Sequence, residues 1–187
     1  MKSIVHPLMK GKILIFTLLM AGPSFAVTVK KIEVYKSLRR LDLMVKSGRD
    51  LKVFKSYDVH LGPSPLGHKV KEGDGKTPEG LYKLNFKNPD SSYHLGLLVS
   101  YPNEEDKAHA RELGVDPGGA IYVHGMPNNI KKWSWMFPFK PPQEQRELVY
   151  EFLNGFDWTQ GCIAVTNEEI EEIYKLTPEG TPIELFP

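Results

Sequence analysis

The sequence predicts a mainly β fold, a sandwich or barrel-like sheet assembly with a few short helices. Alternation of apolar and polar residues recurs from residue 29 to the end of the chain, whereas helix signals are few and short. The 16 glycines and 15 prolines among 187 residues indicate frequent turns, and 41% hydrophobic with 25% charged residues is a globular balance. Residues 27–187 are therefore expected to form one domain.

The first half of this domain is predicted to open as an antiparallel meander. The strands expected from the alternation cover residues 29–35, 41–45, 51–59, 81–86 and 95–101. Ser47-Gly48-Arg49-Asp50 provides the turn between the second and third of these strands. Residues 61–80 are rich in Gly, Pro and charge without periodicity, so they are predicted to form a loop.

The second half is predicted to combine short helices with short strands. Asn103, followed by three acidic residues, is typical of a helix start, and Leu113-Gly114 of its end. Thr166 and Glu169 have the spacing of a capping box for another helix. A third helix is expected at residues 143–153, and the remaining strands at residues 121–123, 163–165 and 182–185.

Residues 1–26 are predicted to be a secretory signal peptide. Three lysines accompany an apolar run at residues 13–21, Gly22-Pro23 breaks it, and Ser24-Phe25-Ala26 has the small residues that signal peptidase reads. An uncleaved amphipathic anchor or a buried helix is the alternative. The signal interpretation places residues 27–187 in the periplasm or cell envelope, with no stable membrane span in the mature chain.

Charge and cysteine content exclude several function classes. Lys+Arg 24 against Asp+Glu 23 leaves no positive excess to attract nucleic acid. The single cysteine excludes an internal disulfide framework and a multi-cysteine zinc site. No HExxH motif or close cluster of metal ligands occurs, so neither a metal nor another cofactor is expected.

The single thiol, Cys162, is a candidate nucleophile. In an oxidising compartment an unpaired cysteine suggests an intermolecular bridge or a working thiol. Gly161 allows close approach of a substrate carbonyl, and the amides of Cys162 and Gly161 are candidate oxyanion donors. The alternative is a turn followed by a core strand, with the Cys162 side chain packed inside as a small apolar residue.

His124 is the strongest candidate for the base that a thiol nucleophile requires. It follows a short apolar strand, as Cys162 precedes one, and the carbonyl of Gly125 is placed to accept the Nδ1 proton and fix the tautomer. The alternative is a histidine that only ends a strand. His94 is the reserve base.

These segments together resemble the L,D-transpeptidase catalytic domain (the YkuD-like family). The segments that carry the resemblance are the opening meander, Gly73-Asp74-Gly75-Lys76-Thr77-Pro78-Glu79-Gly80, Ser100-Tyr101-Pro102-Asn103, Ile121-Tyr122-Val123-His124-Gly125 and Asp157-Trp158-Thr159-Gln160-Gly161-Cys162-Ile163-Ala164-Val165-Thr166-Asn167. The resemblance implies a catalytic domain over residues 27–187. Within it, Cys162 is the nucleophile, His124 the base and later acid, and the Gly125 carbonyl orients His124.

The resemblance also implies a substrate class. It predicts attack on the bond between the L-centre of a diamino acid and a D-amino acid in peptidoglycan stem peptides, with transfer of the acyl group to an amine. A carboxypeptidase or amidase variant that hydrolyses wall crosslinks or links to a wall-anchored lipoprotein is one alternative. An inactive peptidoglycan-binding module is another. The expected oxyanion and substrate-binding residues are Gly161, Gln160, Thr159, Trp158, Tyr101 and His94.

Two departures from the family pattern carry further expectations. Many members have Arg or Asn where Ala164 stands, so Lys69, Lys71, Lys76 and Arg111 are candidates to bind the substrate carboxylate instead, with a solvated surface charge as the alternative for each. Residues 130–156 form an insertion with alternating aromatic residues and nearby lysines. The insertion is predicted to be a lid over the site. A hydrophobic loop packed on the domain or touching the membrane surface is the alternative.

Overall fold

Eight strands form a curled, mixed sheet in the computed structural model, which describes residues 27–187. The predicted signal peptide, residues 1–26, lies outside the described residues. The strands are β1 (Val29–Tyr35), β2 (Arg40–Ser47), β3 (Asp50–Asp58), β4 (Gly80–Ser91), β5 (His94–Val99), β6 (Tyr122–His124), β7 (Ile163–Ala164) and β8 (Pro182–Phe186). Their order across the sheet is β3-β2-β1-β8-β4-β5-β6-β7. The predicted mainly β class is confirmed.

The predicted meander is present as β1, β2 and β3, which pair antiparallel. The last strand, β8, lies between β1 and β4, parallel to β1 and antiparallel to β4. Its Ile183 and Leu185 are buried with the alternating apolar residues of β1, such as Ile32 and Val34. Burial on one face of both strands therefore joins the two ends of the domain in one core.

Four helices accompany the sheet within residues 27–187. They are α1 (Glu104–Glu112), α2 (Lys131–Ser134), α3 (Pro142–Leu153) and α4 (Asn167–Leu176). Both predicted N-terminal caps are formed: Asn103 accepts from the N–H of Asp106, and Thr166 from that of Glu169. Helix α4 packs Ile170 and Ile173 into the main core. The four-residue helix α2 was not predicted, because its segment has no cap signal.

The loop predicted over residues 61–80 is present, although Gly80 already belongs to β4, and it is tightly bonded. Both carboxylate oxygens of Asp74 accept backbone N–H bonds, from Val70 and Lys71 on one side and Lys76 on the other. Burial by itself raises the pKa of Asp74, but these bonds and the ammonium of Lys69 outweigh it and lower the pKa to about 2. The carboxylate therefore stays charged at neutral pH and organises the loop.

The insertion at residues 130–156 contains α2 and α3 and has its own small core. Met126, Val149 and Leu153 are buried there, with Trp133 and Phe137 packed against them. At its C-terminal end, Asp157 accepts two bonds from the guanidinium of Arg39 and one from the N–H of Leu61. These contacts attach the insertion to the sheet next to the turn that carries Cys162.

Within residues 27–187, no helix has the length and apolar character needed to cross a membrane.

Candidate active site

The pairing of β6 with β7 places His124 and Cys162 on one face of the sheet. The strands run parallel with Val123 opposite Ile163 and His124 opposite Ala164. Because side chains alternate along a strand and paired residues share a face, Cys162, two positions before Ala164, lies on the His124 face. Val123 and Ile163 point the other way and are fully buried in the main core.

Two cavities, each of about 270 Å³, meet at the side chains of Cys162 and His124. Both contain Cys162, His124, Tyr93 and Ala120 in their walls. The first, here called the front cavity, is completed by Lys69, Glu72, Gly73, Gly118, Gly119, Ile121, Lys132, Trp133, Trp158, Thr159 and Gln160. The second, the rear cavity, is completed by Asn88, Ser91, Ser92 and Tyr122. A substrate can therefore approach the thiol from two sides.

The His124 imidazole is held in one tautomer. Its Nδ1 lies 2.7 Å from the carbonyl oxygen of Gly125, which only accepts, so Nδ1 carries the proton and Nε2 has a free lone pair. The residue is only 3% exposed and packs against Tyr93, with ring centroids 4.5 Å apart. Burial lowers the pKa of His124 to about 4, against a smaller opposing effect of the Gly125 carbonyl. The imidazole is therefore neutral at physiological pH.

The Gly125 carbonyl is fixed by contacts that require glycine. A Cβ at position 125 would lie 2.7 Å from Asn167 Oδ1 and 2.9 Å from Ile170 Cγ2. Asn167 Oδ1 also accepts from the N–H of Met126. The N-terminal turn of α4 therefore packs directly on the backbone that orients His124.

The Cys162 side chain is half-buried rather than sealed in the core. Burial raises the pKa of its thiol, although the Tyr122 N–H and the positive charge of Lys69 act in the opposite direction. The Sγ atom donates to the carbonyl oxygen of Ala120 at 3.5 Å, and no hydrogen bond to His124 is formed among the described residues. The free site therefore holds a neutral thiol beside a neutral imidazole, and bond formation between them requires the thiol to turn from Ala120.

The turn before Cys162 is held by Thr159 and Gly161. The Thr159 hydroxyl donates to the carbonyl of Cys162 at 2.8 Å and accepts the N–H of Gly161 at 3.2 Å. The Gly161 N–H, a predicted oxyanion donor, is therefore already used within the turn. Gly161 itself has φ +115° and packs on the backbone of Lys76.

Gly161→Ala is expected to destabilise the protein by about 3 kcal/mol or more. The added Cβ would lie 2.3 Å from the carbonyl oxygen of Lys76, in a backbone conformation that alanine disfavours. Thermal unfolding should then occur about 6–12 °C lower. Gly48→Ala is the matched control, because Gly48 has φ +65° but nothing within 4 Å of its Cβ, and should cost only about 1 kcal/mol. Equal shifts for the two variants would contradict the close packing at Gly161.

The predicted substrate-binding residues fall into two groups. Trp158, Thr159 and Gln160 line the front cavity. Tyr101 and His94 line neither cavity: the Tyr101 hydroxyl donates to the Pro117 carbonyl, and His94 Nε2 lies 2.7 Å from a carboxylate oxygen of Glu171 on α4. The structure thus does not bring Tyr101 and the reserve base His94 to the thiol.

Several lining residues were not found from the sequence. Tyr93 packs against His124 from the β4–β5 turn with the two rings tilted by 36°, and Ala120, with φ +52°, presents the carbonyl that accepts from the thiol. The Gly118-Gly119 pair before β6 was the one available signal, since paired glycines often mark a close backbone approach. Of the four cations considered for carboxylate binding, only Lys69 lines the front cavity.

The insertion contributes one wall of the front cavity. Trp133 packs edge-on against Trp158 with ring centroids 6.1 Å apart, and Lys132 lies beside it. Trp135 and Phe139 point outward, with 73% and 97% of their surfaces exposed. The inner half of the aromatic row is thus packed on the domain, and movement of the insertion as a lid remains a prediction.

Across residues 27–187, no group of three or more His, Cys, Asp or Glu side chains is arranged to hold a metal ion.

Comparisons with known proteins identify relatives of this chain. YafK of Escherichia coli K12 is 30% identical over 146 residues, which cover 77% of this chain and 45% of YafK. The helical cell shape determining protein Pgp2 from Campylobacter jejuni superposes with a TM-score of 0.57 at 24% identity, over 85% of this chain and 48% of that structure. Bd1075 of Bdellovibrio bacteriovorus gives a TM-score of 0.53 at 26% identity, over 86% and 49%.

The chain thus spans about half the length of the relatives it matches. The model of the L,D-transpeptidase catalytic domain family (YkuD) matches residues 30–185, nearly the whole described part. The chain therefore belongs to the L,D-transpeptidase catalytic domain family.

Proposed function

We propose that this protein is a cysteine-dependent L,D-transpeptidase that acts on peptidoglycan stem peptides in the periplasm or cell envelope. The observation that supports it most is the shared face of β6 and β7, where Cys162 and His124 meet in one cavity and the Gly125 carbonyl fixes the imidazole tautomer. These are the nucleophile, base and orienting group that acyl transfer requires.

The first half-reaction forms a thioester. As Sγ of Cys162 attacks the carbonyl carbon of the diamino acid, Nε2 of His124 takes the thiol proton. The carbonyl oxygen becomes an oxyanion, and the Cys162 N–H is its expected donor, because the Gly161 N–H is bonded to Thr159. When the C–N bond breaks, His124 returns the proton to the leaving amine of the D-amino acid.

The second half-reaction transfers the acyl group to an acceptor amine. His124 Nε2 takes a proton from the incoming amine as its nitrogen attacks the thioester carbon. When the C–S bond breaks, the Cys162 thiolate leaves and takes this proton back from the imidazolium. Two cavities open on the same pair of side chains, so donor and acceptor each have a place beside the thiol. This arrangement favours transpeptidation over transfer to water, the step that a carboxypeptidase or amidase would use.

The proposal is tested by product analysis of the full chain with a defined stem tetrapeptide, with and without an acceptor amine. We expect loss of the terminal D-amino acid and a new cross-linked or amine-exchanged product, both by mass spectrometry. A shortened peptide alone, with the acceptor present, would identify a hydrolase. Tight binding without any thioester or product would identify the inactive binding module and contradict the enzymatic proposal.

A further inference from the structure

One wall of the front cavity carries an oppositely charged pair from the loop at residues 61–80. Lys69 and Glu72 lie three positions apart in that loop, and both line the cavity that contains Cys162. The opposite wall is aromatic and comes from Trp133 and Trp158. The charge of Lys69 acts on the thiol, but the acyl-transfer steps place no substrate group on this charged wall.

Lys69 is a buried cation with hydrogen-bonding capacity to spare. It is 3% exposed, and its Nζ donates to Asp74 Oδ1 at 2.9 Å and to the carbonyl of Lys71 at 3.0 Å. An ammonium group has three N–H bonds, so one has no acceptor among the described residues. Asp74, in turn, already accepts from three backbone N–H groups, which compensate much of its charge. A further carboxylate in the cavity would satisfy the remaining N–H bond of Lys69.

Glu72 is the anionic member of the pair. Its backbone is fixed, because its N–H donates to the carbonyl of Asp116 at 2.8 Å and its Cα lies against Gly118. Its carboxylate is exposed and forms no ion pair with any residue in the described range. It is therefore available to an ammonium group in the same cavity.

We propose that Lys69 and Glu72 bind the far end of the side chain of the stem peptide's diamino acid. That end carries a free carboxylate and a free ammonium on the same carbon. Lys69 binds the carboxylate and Glu72 binds the ammonium. The inference rests on the proposed function, which brings a diamino acid to the thiol. The site then selects a diamino acid of the diaminopimelate type over lysine, whose side chain carries the amine without the carboxylate. Lys132 on the opposite wall adds a second positive charge. The positive charges of Lys69 and Lys132 therefore outweigh the negative charge of Glu72, and the cavity attracts a carboxylate.

The test compares two stem tetrapeptides that differ only in the side-chain carboxylate, one with diaminopimelate and one with lysine at the third position. Because the bond from Lys69 to the side-chain carboxylate joins two charged groups, the unsubstituted protein should prefer the diaminopimelate peptide over the lysine peptide by about 30-fold in kcat/KM. In Lys69→Met the preference should fall below about threefold. Lys71→Met is the matched control, because Lys71 is in the same loop but outside the cavity, and it should keep the preference.

A merely structural role of Lys69 gives a different result. Loss of the loop's packing would lower kcat/KM for both peptides together and leave their ratio unchanged, and that outcome overturns the inference. Glu72→Gln gives a second readout, which does not depend on whether Lys69→Met folds. The unsubstituted protein should prefer a diaminopimelate peptide with a free side-chain amine over the same peptide with that amine acetylated, and Glu72→Gln should reduce this preference in kcat/KM by about tenfold. Unchanged ratios in both variants reject the inference, whereas no turnover of either peptide by the unsubstituted protein rejects the proposed function itself.

Discussion

Cys162→Ala is expected to abolish acyl transfer, with the rate of D-amino acid release falling by at least about 10⁴-fold. The reaction we propose passes through a thioester, and Cys162 is the only cysteine in the chain. No other side chain on the shared face of β6 and β7 can form that bond, since Tyr122 and Ala164 carry neither a thiol nor an activated hydroxyl. Intact-protein mass spectrometry should find an acyl adduct on the unsubstituted chain and none on the variant.

The same variant should retain its fold. The Cys162 side chain is half-buried, and its hydrogen bond to Ala120 is long, so removal of the sulfur leaves only a small gap beside an open cavity. We expect a loss of about 1 kcal/mol or less. Circular dichroism and thermal unfolding therefore serve as controls. Undiminished turnover by a folded Cys162→Ala chain would remove Cys162 from the mechanism and, with it, the proposed function.

Short-range patterns were sufficient for much of the fold. The meander β1–β3 follows from alternation along each strand and a tight turn at residues 47–50, interactions that the local sequence contains in full. The caps at Asn103 and Thr166 depend on side chains three residues apart. Such features can be predicted from one sequence because the residues that stabilise them are neighbours along the chain.

The residues that complete the site depend on contacts distant in the sequence. The position of β8 between β1 and β4 follows from pairing of both its edges with strands far apart in the chain, which the pattern of one strand does not specify. Tyr93 contacts His124 only because β5 pairs with β6. The Ala120 carbonyl accepts from the Cys162 thiol although the two residues are 42 positions apart in the sequence. Cys162 and His124 could be proposed from the sequence because few residue types perform this chemistry, whereas a tyrosine or a backbone carbonyl carries no such signal.

His124→Gln is expected to slow thioester formation by about 10³-fold at neutral pH. Burial raises the pKa of the Cys162 thiol, so little thiolate exists without a base to take the proton. Glutamine has no basic nitrogen, although its amide can still fill the space beside Tyr93 and donate toward the Gly125 carbonyl. The rate should be measured as single-turnover acylation by an uncharged acyl donor, so that only protein groups titrate. A fall of less than about tenfold would exclude His124 as the base.

The pH dependence of acylation distinguishes a buried His124 from a solvated one. Because burial lowers the pKa of His124 to about 4, the imidazole remains neutral and able to accept the thiol proton down to that pH. The rate of the unsubstituted protein should therefore stay level from about pH 7 to pH 5 and be lost only as the pH falls through about 4. An acid limb near 6.5, the value of a solvated imidazole, would contradict the buried, Gly125-bonded state. In His124→Gln the loss of rate near pH 4 should disappear. The rate should instead rise about tenfold per pH unit toward alkaline pH, because without the imidazole the thiolate forms only by ionisation of the thiol to solvent.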